Sequence, residues 1–139
     1  MKVRHRARIV VLQALYEIDS TGHEPALVLE QRLEETHLPD SGVAFARELA
    51  GGVRSHRERL DRLIARYAPD WPVEQIAVID RNVLRIAIYE ILIGTETPVK
   101  VAINEAVELA KTFGSDSSSR FVNGVLGTLV AVEATSGRR

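Results

Sequence analysis

At 139 residues, 45% hydrophobic and 27% charged, the chain has the size of one folded domain and is too apolar to be disordered. It holds no cysteine, which excludes disulfides, thiolate zinc sites and cysteine nucleophiles. The net charge of −1 excludes a general polycation, and no apolar run approaches the ~18 residues of a membrane-spanning helix.

Apolar residues recur at helical spacing along nearly the whole chain. Val3, Ala7, Val10, Val11, Ala14, Leu15 and Ile18 predict a helix over about 3–20, with Ile9, Leu12 and Tyr16 as a second apolar row. A loop through Gly22 and Pro25 leads to a helix at about 26–37, stopped before Pro39. Asp40 or Ser41 is placed to cap a third, long helix whose buried face holds Phe45, Leu49, Val53, Leu60, Leu63, Ile64 and Tyr67. Gly51-Gly52 interrupts that helix, marking close helix packing or a bend rather than a ligand loop.

Pro69 and Pro72 bracket Trp71 and form the main break. Beyond them a short helix is expected near 73–79, then helices near 80–93, 101–113 and 118–133. Gly114 is expected as the left-handed residue ending the third of these. Serines 115 and 117–118 with Asp116 supply N-caps for the last helix, and 135–139 reads as a polar tail. No period-two run reads as a strand. The expected architecture is all-α: one domain over 1–139, about seven helices in two packed sub-bundles, about 1–68 and 69–134.

No catalytic constellation is visible. His5, His23, His37 and His56 lack metal-ligand spacing, and the phosphate-cradling loops GxxxxGK[ST] and GxGxxG are missing. Glu105, Glu108 and Lys111 have the spacing of a solvated, ion-paired helix face. The reading is of a non-enzyme without metal or cofactor. The basic N-terminus has no long apolar core, so no signal peptide is visible and a cytoplasmic protein is expected.

Two features point to RNA. Lys2, Arg4, Arg6 and Arg8 sit with His5 in an acid-free start, followed by an acidic stretch over 17–37. Arg4 and Arg8 flank one side of the apolar stripe and Lys2 and Arg6 the other, a cluster able to neutralise several phosphates. In the last helix Val122, Val125, Leu126 and Leu129 form the buried stripe, and Phe121 lies roughly 90° from its centre. An edge ring beside Arg120 can stack on an unpaired base, or can simply pack at a helix junction. The cationic tip and the ring are expected to converge on one polynucleotide.

The stretch Val99-Lys100-Val101-Ala102-Ile103-Asn104-Glu105-Ala106-Val107-Glu108-Leu109-Ala110-Lys111, then Phe113-Gly114 and Arg120-Phe121-Val122-Asn123-Gly124-Val125-Leu126, closely resembles the NusB family signature. Val83-Leu84-Arg85-Ile86-Ala87-Ile88-Tyr89-Glu90 and Gln13-Ala14-Leu15-Tyr16 are similar to it as well. The resemblance implies an all-helical transcription antitermination factor. Its implied partners are the single-stranded boxA element of nascent RNA, the small-subunit ribosomal protein NusE, other Nus factors and RNA polymerase.

The implied RNA-binding residues are Lys2, Arg4, Arg6, Arg8, Lys100, Ser118, Arg120 and Phe121, and the implied partner-binding residues are Asp80, Val83 and Ala87. His5, Val99, Ser117 and Ser119 depart from the residues usual in the family. Two other readings stand beside this one: a protein–protein module with a merely solvated basic end, and an RNA-binding domain related to the front end of ribosomal RNA cytosine methyltransferases. No glycine-rich cofactor loop lies within the sequence. A homodimer is a further possible partner state.

Overall fold

The computed structural model describes residues 2–94 and 96–135, the last two without their side chains. The described residues form seven α-helices and one 3-10 turn: α1 (Val3–Thr21), α2 (Pro25–Thr36), α3 (Asp40–Ser55), α4 (Arg57–Tyr67), the turn at Val73–Gln75, α5 (Val78–Leu92), α6 (Val99–Phe113) and α7 (Ser118–Thr135). The expected tail beyond Thr135 lies outside the described residues.

Each helix starts and stops for a local reason. Gly22 at φ 74° ends α1 in the left-handed conformation, its N–H bonding to the carbonyl of Ile18. Pro25 opens α2 behind the Glu24 side chain, which accepts from the N–H of Ala26. His37 closes α2 at φ 54°, the left-handed position that glycine usually fills.

Several boundaries differ from the sequence reading. The long third helix breaks at His56, not at Gly51-Gly52, and α3 is capped by Pro39 with Asp40 inside its first turn. Helical geometry continues through the glycines because α3 lies directly on α5 there: a Cβ at Gly52 would collide with the Tyr89 ring. The segment expected as a helix at 73–79 is one 3-10 turn, and α5 already begins at Val78. Gly114 is extended at φ −94° and ψ −164°, not left-handed. What requires glycine there is space, since a Cβ would strike the Ser118 side chain.

Helix α5 is the hub. Eleven of its fifteen residues are buried, and α1, α3, α4, α6 and α7 all pack on it. One continuous core joins Val10, Val11 and Leu12 of α1, Leu60 and Ile64 of α4, Leu84, Ile86 and Ile88 of α5, and Leu126 and Leu129 of α7. Burial of this size supplies the main folding force. Helix α1 lies against both α2–α3 and α5, so the basic N-terminal turns are mounted on the core shared by both halves.

Candidate nucleic-acid interface

The first turns of α1 present two exposed cations, Lys2 and Arg4. Arg4 lies 4.6 Å over the Phe45 ring and 3.8 Å from Glu96. That ion pair is solvent-exposed and leaves the guanidinium free to exchange Glu96 for a phosphate. Arg6 is half-buried and donates to the backbone carbonyl of Thr36 at the end of α2. His5 contacts Glu105 of α6 at 2.7 Å.

Arg8 must be removed from this surface. It is 3% exposed, and its Nε and Nη2 donate to the two Glu90 carboxylate oxygens at 2.9 and 2.7 Å. Glu105 lies 3.6 Å from its Nη1, and Glu90 also accepts from Thr97 Oγ1. A planar guanidinium matched bidentately to a buried carboxylate is an internal fastener. The periodicity put Arg8 beside Arg4, but a partner 82 residues away decides its role.

Lys100 and Arg120 are exposed at the starts of α6 and α7. Between these helices runs a polar groove lined by Asn104, Glu108, Lys111, Ser119, Arg120 and Asn123. Ser118, expected at the RNA surface, is buried. Its Oγ accepts from the N–H of Ser115, tying the turn before α7. It is a turn-forming residue, and its hydroxyl is not available to a ligand.

Phe121 sits at the rim, partly buried against the core. It borders a cleft of about 250 Å³ with Trp71, Gln75, Ile76, Ala77, Asp80 and Ser117. Trp71 is 58% exposed, a large ring left in solvent between two prolines. The Oδ1 of Asp80 is buried at this cleft and has no hydrogen-bond partner among the described residues. Val83 and Ala87, implied as partner contacts, are sealed inside the hub helix at 0% and 1% exposure. They cannot touch a partner, because the α5 face carrying them is covered by neighbouring helices.

The cationic tip and Phe121 do not meet at a point. The tip reaches α5 at Glu90 and α6 at Glu105, whereas Phe121 borders the cleft at Asp80. That part of α5 is about 15 Å long. The α6–α7 groove lies on this side, with Lys111 and Arg120 in its lining and Lys100 exposed one helical turn before Asn104. The surface is a track with a basic start and an aromatic finish.

At the opposite end of α1 a polar knot fixes the helices. Asp19 receives Asn82 Nδ2 at 3.1 Å and Arg85 Nη1 at 2.9 Å, and Arg85 forks onto Asp61 at 2.7 and 3.1 Å. Burial pushes the Asp19 carboxyl up, but the Asn82 hydrogen bond and the Arg85 and Arg57 charges outweigh it and hold it below its usual value. Two features escaped the sequence reading: the Trp71 ring beside Phe121 and the arginines of α4. Both sit in segments read only for their apolar spacing or their breaks.

Among the described residues no group of three or more histidines and carboxylates is placed to hold a metal, and no helix is long and apolar enough to cross a membrane. A seven-helix body carrying a cationic, aromatic-ended track defines a small all-α binding protein. The NusB family model matches residues 5–131, and the chain belongs to that family. It is 54% identical over 131 residues to the transcription antitermination protein NusB of Roseiflexus castenholzii, covering 93% of this chain and 92% of that protein. The solved T. maritima NusB superposes with a TM-score of 0.88 at 34% identity, covering 97% of this chain and 95% of that one. The fold is shared, at TM-score 0.86 and 23% identity, with a NusB chain solved with NusE and double-stranded RNA. That match covers 95% of this chain and 98% of the other.

Proposed function

We propose that the chain is a transcription antitermination factor. In this reading it binds the boxA element of nascent ribosomal RNA together with NusE, and with other Nus factors holds RNA polymerase in an elongating state. It acts by scaffolding, in the cytoplasm, and catalyses no reaction. Lys2, Arg4, Arg6, Lys100 and Arg120 engage phosphates, and Phe121 stacks on an unpaired base. Asp80, which lines the cleft beside Trp71 and Phe121, is the contact for the protein partner.

The observation that carries this reading is the exposed Arg120 beside the half-buried, rim-placed Phe121 at the start of α7, with the polar α6–α7 groove next to them and the cationic tip of α1 packed against α6 at Glu105. The relatives named as transcription antitermination proteins support it. So does a NusB chain of the same fold solved with NusE and RNA. The test is fluorescence anisotropy with labelled boxA RNA, with and without NusE, on the native protein, Phe121→Ala and a Lys2/Arg4/Arg6 triple alanine variant. Weakened binding with retained helicity is expected for both variants. Native-like affinity in both would exclude this surface.

A further inference from the structure

The corner between α3 and α4 carries a second cationic surface that the track above does not include. Arg54, Arg59 and Arg62 are exposed and form no ion pair among the described residues. They line an open groove of about 450 Å³ together with Ser55, His56, Arg57 and Glu58. On α4, Arg59, Arg62 and Arg66 follow one another at three- and four-residue steps and therefore share one face. Arg66 is exposed, stacked 5.5 Å over the Tyr67 ring.

The acids of this region are unevenly disposed. Asp61 is turned towards Arg85, which forks onto both its oxygens, and Asp19 is buried in the same knot, reached by Arg57 at 3.5 Å. Only Glu58 faces the groove. Asp19 and the part-exposed Asp61 are thus engaged by Arg85 and Arg57, Asp61 lying 3.8 Å from Arg57, and Arg54, Arg59 and Arg62 are left as the uncompensated charges of the outer face.

We propose that this corner binds the phosphodiester backbone of the transcript outside boxA, as a second, sequence-independent contact. The proposal rests on the RNA-binding reading above and extends it. Guanidinium forks match phosphate oxygens, and the groove is lined by polar and charged side chains with no aliphatic or aromatic anchor apart from the His56 ring. Tight protein–protein sites are instead centred on buried apolar anchors, so RNA is favoured over an acidic protein. The corner lies at the far end of α1, where Arg57 touches Asp19. About 20 Å of helix separates Asp19 from Arg6. The corner shares no lining residue with the α6–α7 groove, so a transcript whose core element occupies that groove meets the corner with its flanking nucleotides.

The test compares boxA RNA with boxA RNA extended by a uridine tail at either end, titrated against the native protein and an Arg54→Gln/Arg59→Gln/Arg62→Gln variant. All three side chains are exposed, and circular dichroism checks that the variant is folded. The native protein should bind one tailed RNA several-fold tighter than the untailed one. The variant should lose that gain while binding untailed boxA as before. On the tailed RNA its slope of log affinity against log salt should be shallower by about 0.7 per lost contact, about 2 for three.

A tail that brings no gain to the native protein, or an equal gain in the variant, overturns the proposal. So does competition by a polyglutamate peptide at the corner in the absence of any tail effect, which would point to an acidic protein. Loss of the tail effect with untailed binding intact leaves the boxA reading standing. Untailed binding unaffected by Phe121→Ala would instead strike at that reading itself.

Discussion

Arg8 and Glu90 face each other across α1 and α5 as a forked, two-bond pair sealed from solvent, at 2.9 and 2.7 Å. The first member lies in a stretch whose Lys2 and Arg4 face water. One sequence motif therefore contains both surface charge and a structural pin. Arg8→Ala should leave Glu90 buried with only Thr97 as its partner and cost about 3–5 kcal/mol, read as a large fall in thermal midpoint. Arg4→Ala should leave the midpoint nearly unchanged. An Arg8→Met/Glu90→Leu pair should recover most of the loss, because two apolar side chains remove both charges together. Equal stability of the Arg8 and Arg4 variants would contradict the assignment.

Phe121→Ala should weaken boxA binding by about 1–3 kcal/mol, with little change in salt dependence, since stacking is not a charge effect. The measurement is anisotropy across a salt series. A loss that disappears at high salt would mean the ring acts by positioning Arg120 instead.

The Lys2/Arg4/Arg6 triple alanine variant should show the opposite pattern. Its affinity should fall at low salt, and its salt slope should flatten by up to about 0.7 per cation for a single strand. Adding Arg8→Ala to that set should change stability far more than slope, because Arg8 is enclosed.

Asp19 predicts an acid limit to the fold. Its carboxyl titrates below the ordinary 3.8, so the folded state binds this proton less readily than the unfolded chain. The stability it contributes is complete above the unfolded value and is lost as pH falls from there through the depressed folded value. Urea midpoints measured on native protein and Asp19→Asn should therefore converge as pH drops below about 4. At neutral pH the variant should be less stable by about 3 kcal/mol, because Arg85 and Arg81 lose a buried partner. A constant gap across that pH range would remove Asp19 as its source.

Gly52→Ala should destabilise the protein by about 1–3 kcal/mol, since the added methyl must displace the Tyr89 ring. Gly51→Ala one residue earlier meets nothing within 4 Å and should be neutral or slightly stabilising in a helix. Thermal melts of the two variants side by side separate close packing from a bend. Equal effects would mean the glycines act through backbone freedom alone.

Much of this was legible from spacing. The apolar period marks the helical segments because each buries a stripe against its neighbours, although it runs α3 and α4 together and makes a helix of the Val73–Gln75 turn; the offset of Phe121 from the Val122–Leu129 stripe placed it at the rim. What periodicity does not encode is the identity of a distant partner. Arg8 is buried because Glu90 waits for it, Ser118 because its own turn needs an acceptor, and Val83 and Ala87 because α5 is covered on nearly every side. The break at His56 was hidden for a related reason: the glycines upstream look like breakers until the Tyr89 ring that requires them is in view. The α4 face looked neutral because nothing local shows that Asp61 is engaged by Arg85 of α5.

Because α1 is packed simultaneously on α2–α3 and on the hub helix, the helices before and after the Pro69–Pro72 break share one core among the described residues. The molecule is built as an anvil and not as a jaw. Shape adjustment on binding falls to the flexible polynucleotide and to the partner protein, and the ordering cost on this side is met when the chain folds.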